Sequence, residues 1–369
     1  MKISFTPLVE SLPASTPFVG PETLERQIGK PFRARIGANE SAFGISGMAR
    51  QAITEALSDS GCSWYPDPEN HELRLALAAK HGVAMDEICV DGGIDTLLGL
   101  TVRMLIAPGE NVITSLGAYP TFNYQVAGHG GNLITVPYAD NHEDPDALLA
   151  ACQQHNGKLI YLSNPDNPMG TSHSAATIQS MIDRVPDGAV LALDEAYIDF
   201  TTDNLAPKLD TSNPKILRLR TFSKAYGMAG MRVGYIIAHK DVITSVNKIR
   251  NHFQINRLSQ LAATASLADH AFLADVQKSV AERRQQVYAL ADEFGLPWLP
   301  SSTNFVAVDM GSSERAKATL KELGEHGIFM RMPGVAPLDR YIRVGLGTED
   351  EHNYLTHVMR EKLSTLADR

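Results

Sequence analysis

Only three cysteines occur in this chain of 369 residues: Cys62, Cys89 and Cys152. They are widely spaced and odd in number, and no pair has metal-ligand spacing. That argues against a disulfide-stapled scaffold and fits reduced, mostly packed thiols in a cytoplasmic protein. Long apolar runs are also missing. None reaches the ~20 residues needed to cross a bilayer, and no basic start leads into an apolar core as in a signal peptide. Positive charge is in deficit, with 33 Lys and Arg against 42 Asp and Glu and a net charge of −9. A general nucleic-acid or anionic-membrane binder is therefore not expected, although a local cationic pocket remains compatible. There is no repeat of fixed period and no low-complexity tract. No G-x-G-x-x-G follows a strand and no G-x-x-x-x-G-K-[ST] occurs, which removes the nicotinamide and nucleotide fingerprints. His239 and the other histidines lack H-E-x-x-H or similar spacing, so no metal is expected. Ser46-Gly47 has no nucleophile-elbow context.

What is present is an ordinary globular composition, 44% hydrophobic and 20% charged, long enough for one large domain or two ordinary ones. Pro7, Pro13, Pro17, Pro21 and Pro31 predict an extended arm over the first 35 residues rather than a long helix. Short apolar runs then alternate with amphipathic stretches. The runs are Glu87–Val90, Asn111–Thr114, Asn132–Val136, Lys158–Leu162, Ala189–Leu193, Ile216–Leu219 and Val233–Ala238. Ile94–Leu105 and Ala175–Val185 have helical periodicity. Such alternation predicts an α/β fold with a mostly parallel sheet covered on both faces. One long charged helix is expected over 265–293, and the remainder, with a strand at Asn304–Val308 and another at Tyr341–Val344, reads as a small α+β unit that the N-terminal arm joins.

Polar or aromatic groups stand at five strand ends, where open α/β sheets bind ligands. After Val90 comes Asp91-Gly92-Gly93, opening the helix at Ile94, Asp95 and Thr96. A helix start of this kind binds phosphate through free N–H groups, although Asp95 also suits a plain cap. Tyr119 precedes Pro120 and could stack on a ring or simply pack. Asn167 is held between two prolines in NPDNPMG, either as a rigid hydrogen-bonding amide or as part of a structural turn. Asp194 ends an almost wholly apolar strand, where a carboxylate needs a partner; Tyr197 follows three residues later. Thr221, Ser223, Lys224 and Arg232 sit together in TFSKAYGMAGMRVGY. Lys224 can condense with the aldehyde of pyridoxal phosphate (PLP), and Thr221, Ser223 and Arg232 can hold its phosphate. Asp194 would then pair with the cofactor's ring nitrogen. Arg343, inside the apolar strand YIRVG, suits a substrate carboxylate or an internal ion pair, and Arg331 is a second case of the same kind.

Taken together, the chain resembles the fold-type I PLP enzymes, specifically the class I/II aminotransferases, and most nearly their histidinol-phosphate branch. The likeness runs through GANES at 37–41, WYPDPE at 64–69, DGGIDT, NPDNPMG, DEAYIDF at 194–200, TFSKAYGMAGMRVGY, TNFV at 303–306 and YIRVGLGT at 341–348. It implies a large domain, 36–268, with a seven-stranded sheet sandwiched by helices, and a small domain from 1–35 and 269–369. It implies that Lys224 holds PLP and shuttles a proton, that Asp194 meets the pyridine nitrogen, and that Tyr197 and Asn167 meet the ring oxygen. Tyr119 would stack on the ring. Ile94, Asp95, Thr96, Thr221, Ser223 and Arg232 would surround the phosphate. Tyr65 would reach the partner subunit's cofactor in a homodimer. Arg343 would bind a carboxylate and Arg331 the phosphate of the amino donor. Pro17-Phe18 stands where the branch tends to carry a substrate-touching tyrosine, and NPMG replaces the usual NPTG. Phe18 cannot donate that hydrogen bond.

The implied activity is ping-pong transfer of an amino group from histidinol phosphate or an aromatic amino acid to a 2-oxo acid such as 2-oxoglutarate. A same-fold decarboxylase or lyase, such as a threonine-phosphate decarboxylase, would use the same Lys224, Asp194 and Arg232. A non-catalytic ligand sensor is the more remote alternative.

Overall fold

The computed structural model describes residues 3–14, 19–58 and 61–362. Its strands are β1 (Ala34–Arg35), β2 (Ile88–Asp91), β3 (Asn111–Ser115), β4 (Asn132–Val136), β5 (Leu159–Ser163), β6 (Val190–Asp194), β7 (Ile216–Thr221), β8 (Gly234–Ile237), β9 (Phe305–Asp309), β10 (Ile328–Phe329) and β11 (Tyr341–Gly345). Seven of them form one sheet in the order β2-β8-β7-β6-β5-β3-β4. All neighbours run parallel except at β8, which is antiparallel to both β2 and β7. The central strands β5 and β7 are buried along their whole length. Helices cover both faces, so β5 needs apolar side chains on both sides and reads as a near-continuous hydrophobic run, whereas β7 carries Arg218 and Arg220, buried against Glu195. On the edge strand β4, Asn132, Leu133 and Thr135 are not buried, and there the run is correspondingly more polar.

The helix Ile94–Leu105 has the bounds its periodicity predicts, and Leu97, Leu98, Thr101 and Val102 pack toward the core. Ala175–Asp183 starts where the Ser174 hydroxyl accepts from the Thr177 N–H. Two expectations are corrected. The single helix over 265–293 is two, Arg257–Ala268 and His270–Glu293. Asp269 leaves helical geometry between them and caps the second through the Phe272 N–H, a start signal that outweighs continuous periodicity. The N-terminal arm is not simply extended. Pro7 and Pro21 each open a short helix, Pro7–Ser11 and Pro21–Ile28, because proline's fixed φ suits the first helical position.

The remaining strands form two small sheets. In one, β9 and β11 are antiparallel, with Arg343 opposite Ala307. In the other, β1 runs parallel to β10, with Ala34 opposite Ile328. The N-terminal segment is thereby tied to the C-terminal third, and the Gly345 N–H donates to the Ile36 carbonyl at 2.9 Å. Among the described residues no helix is long and apolar enough to cross a membrane, and no group of acids, histidines or cysteines is arranged to hold a metal ion.

Candidate active site

Parallel strands bring their carboxyl ends to one edge of the sheet, and Asp91, Ser115, Ser163, Asp194 and Thr221 all end strands there. A cavity of about 520 Å³ opens at this edge. Its wall includes Ile94, Tyr119, Asn167, Asp194, Tyr197, Lys224, Arg331 and Arg343 from the sequence-based set. Behind it, Asp95, Arg232, Ser223 and Thr221 form a chain. The Arg232 guanidinium donates to Asp95 Oδ2 at 3.4 Å and to Ser223 Oγ at 3.5 Å, and the Thr221 hydroxyl meets Ser223 Oγ at 3.0 Å. Thr96 turns its hydroxyl back onto the Gly92 carbonyl and offers only its N–H to the helix start. Tyr65 is elsewhere, strongly exposed and packed on Phe253 at 4.8 Å between ring centroids. Phe18 lies outside the described residues.

Two adjacent acids at the end of β6 differ sharply. Side chains alternate along a strand. Glu195 is buried against Arg218 and, at 2.8 Å, Arg220. Burial alone would raise its pKa, but the two guanidiniums hold it below the ordinary carboxylate value. Asp194 lines the cavity instead, is almost completely buried and forms no ion pair among the described residues. Burial pushes it up to about 6, against hydrogen bonds from Tyr161 and the Ala196 N–H. A buried, lone carboxylate facing a cavity suits a cation brought by a ligand.

Lys224 Nζ donates to the Asn39 carbonyl at 3.2 Å and lies 5.4 Å from the centre of the Tyr197 ring. The Tyr197 hydroxyl accepts from Asn39 Nδ2 at 3.0 Å and from Asn167 Nδ2 at 3.4 Å, which leaves its own hydrogen to donate. Asn167 Oδ1 accepts from Arg343 at 2.6 Å, so one amide links the tyrosine to the arginine. Among the described residues, Arg343 Nε is buried with no partner of its own. Tyr119 donates to Asp95 Oδ1 at 2.8 Å, and burial lifts its phenol above the ordinary range. Asn39 was not singled out from the sequence, although it lies within the GANES motif; its left-handed backbone, φ 55°, turns the carbonyl toward the lysine. Tyr161 was also missed, because a tyrosine inside LIYLS reads as core.

The residues present fit PLP. Ile94, Asp95 and Thr96 begin a helix at a glycine pair, and a Cβ on Gly93 would stand 2.6 Å from the Arg232 guanidinium. A side chain there would push the guanidinium aside. Gly93→Ala is expected to weaken PLP binding roughly 10- to 100-fold, since φ +86° is a glycine conformation and the new methyl displaces Arg232. Titrating apoenzyme with PLP by absorbance checks this.

The family model for aminotransferase class I and II matches residues 35–359. The crystal structure of histidinol-phosphate aminotransferase from Sinorhizobium meliloti in complex with pyridoxal-5'-phosphate superposes with a TM-score of 0.94 at 46% identity, covering 98% of each chain. The histidinol-phosphate aminotransferase of Roseiflexus castenholzii is 32% identical over 96% of this chain and 97% of its own. Histidinol-phosphate aminotransferase 2 of Ralstonia nicotianae is 35% identical over 86% of this chain and 85% of its own. This chain belongs to the class I and II aminotransferases and is a PLP-dependent transaminase of fold type I.

Proposed function

We propose that this transaminase moves the amino group of histidinol phosphate to a 2-oxo acid such as 2-oxoglutarate. The observation that carries this reading is the pair of arginines in one cavity wall. Arg331 and Arg343 are joined as a β-bridge, the Arg343 N–H donating to the Arg331 carbonyl at 2.7 Å. Burial and the neighbouring Arg343 lower Arg331 to about 10. Burial likewise lowers Arg343. A second buried guanidinium beside the one that takes a carboxylate suits a further anion on the donor, which histidinol phosphate carries and an aromatic amino acid lacks. The names of the relatives above support the same donor.

When bound, PLP supplies an aldehyde that exchanges amino groups and a ring that draws electrons from the substrate Cα. Lys224 holds the cofactor and afterwards moves the proton at the substrate Cα through Nζ. Asp194 accepts the ring N–H and keeps that nitrogen protonated. Tyr197 and Asn167 hold the ring oxygen, and Tyr119 covers the ring. The N–H groups of Ile94, Asp95 and Thr96, with Thr221, Ser223 and Arg232, hold the phosphate. Arg343 takes the acceptor's carboxylate and Arg331 the donor's phosphate. Both substrates use this one pocket in turn, the arrangement a ping-pong reaction needs.

Residues 36–268 would form the cofactor-binding domain, with 1–35 and 269–369 as the small domain. A homodimer in which Tyr65 reaches the partner's cofactor phosphate completes the reading. Trp64, Tyr65, Leu57 and Phe253 leave exposed apolar surface that a second copy would cover. The reduced-thiol pattern supports a cytoplasmic location.

The test is kcat/KM for histidinol phosphate and for phenylalanine, each with 2-oxoglutarate. A preference of roughly 100-fold for histidinol phosphate is expected, and Arg331→Leu should remove most of it while sparing phenylalanine. Phenylalanine used as well by wild type would overturn the donor assignment.

A further inference from the structure

How Asp194 presents itself to a ligand depends on what holds its two oxygens. The Ala196 N–H donates to Oδ1 at 2.9 Å, and the Tyr161 hydroxyl donates to Oδ2 at 2.7 Å. Tyr161 belongs to β5, two residues before Ser163, whose Cα pairs with that of Asp194. Two residues back along a strand returns to the same face, so the phenol reaches the carboxylate diagonally. The Tyr161 side chain is fully buried. Its ring stacks on Phe122 at 4.3 Å and 14°. Phe122 sits in the helix Pro120–Gly128, for which Tyr119 is the N-cap. Strand and helix thus converge on one hydroxyl, buried in apolar surroundings, with the carboxylate as its acceptor.

The charges acting on Asp194 are mostly negative. They are Asp95 from the Ile94–Leu105 helix, Glu195 beside it, and the buried Glu143 and Asp166. Arg218 and Arg220 neutralise Glu195, and Arg232 faces Asp95. The Tyr161 hydroxyl and the Ala196 N–H are the donors that favour the anion.

We propose that Tyr161 is a positioning residue for transamination: its hydroxyl fixes the Asp194 carboxylate to accept from the cofactor's ring nitrogen, and Phe122 fixes Tyr161. The proposal rests on the assignment of Asp194 to that nitrogen. Burial already pushes Asp194 up to about 6 with the hydroxyl in place, and the hydroxyl's effect is to lower it. Without the donor, more of the acid is protonated at neutral pH, and a protonated carboxyl is a poor anion for a ring N–H.

Tyr161→Phe keeps the ring and its stack and removes the donor alone. In apoenzyme, the Asp194 carboxyl followed by infrared difference spectroscopy against Asp194→Asn is expected to titrate about one pH unit higher. In holoenzyme the Kd for PLP should rise roughly tenfold, as expected for a lost hydrogen bond to a charged group, and the acid limb of the kcat/KM profile should move up. Phe122→Leu, which keeps the hydroxyl but loosens the ring, should raise the Kd by less. A purely structural tyrosine would lower the melting temperature and leave the titration and the Kd where they are; that result overturns the proposal. If Asp194→Asn itself binds PLP as tightly as wild type, the assignment of Asp194 fails first, and the proposal falls with it.

Discussion

Lys224→Ala is expected to lower kcat/KM by about 10⁴-fold or more, from the combined loss of the nucleophile and the proton carrier. Among the described residues, Lys224 is the one lysine in the cavity wall. The other cations there, Arg331 and Arg343, cannot take over. Even lowered to about 10, Arg331 keeps its proton at neutral pH, and a guanidinium is a poor proton acceptor. The fold should survive, because among the described residues the Lys224 amine makes one hydrogen bond, 3.2 Å to the Asn39 carbonyl, and otherwise only lies over the Tyr197 ring. Steady-state rates together with a melting curve separate the two effects. A variant that folds and still turns over at the wild-type rate would contradict the assignment.

Asp194→Asn should have the next largest effect, lowering kcat/KM by roughly 10²–10³-fold, the scale of breaking a buried charged pair. The same change should stabilise the apoenzyme at neutral pH. With no cation beside it, Asp194 has a folded pKa of about 6 against an ordinary value of 3.8. Between these values the folded state binds the extra proton, so stability falls as pH rises through the window. The difference corresponds to something on the order of 3 kcal/mol above it. Asparagine carries no charge and escapes the penalty. The melting temperature of apo Asp194→Asn should therefore exceed that of wild type at pH 7 and converge with it below pH 4, measured by calorimetry without PLP. Adding PLP should reverse the order at pH 7, because only the wild type gains an ion pair.

The sheet was legible because its signal is local. Buried strands such as β5 and β6 must be largely apolar on both faces, and the helix Ile94–Leu105 carries its own glycine start. The break at Asp269 was missed because the apolar period continues across it, while the cap that stops it is a single side chain. Lys224, Asp194 and Asn167 were legible as polar residues in places where the chain would otherwise be apolar or rigid. Tyr161 and Asn39 were not. Tyr161 reaches Asp194 only through the register of β5 on β6, and Asn39 reaches Lys224 across 185 residues of sequence. Tyr65 marks the converse limit: its expected role lies with a second subunit, and its own chain leaves it 82% exposed.

The most direct measurement is the attachment site of the cofactor. Holoenzyme treated with borohydride would be digested and mapped by mass spectrometry, with Lys224→Ala as the control. One pyridoxyl-modified peptide is expected, carrying the label on Lys224, and none in the variant. Label on another lysine, or a cofactor retained with no lysine modified, would contradict this expectation.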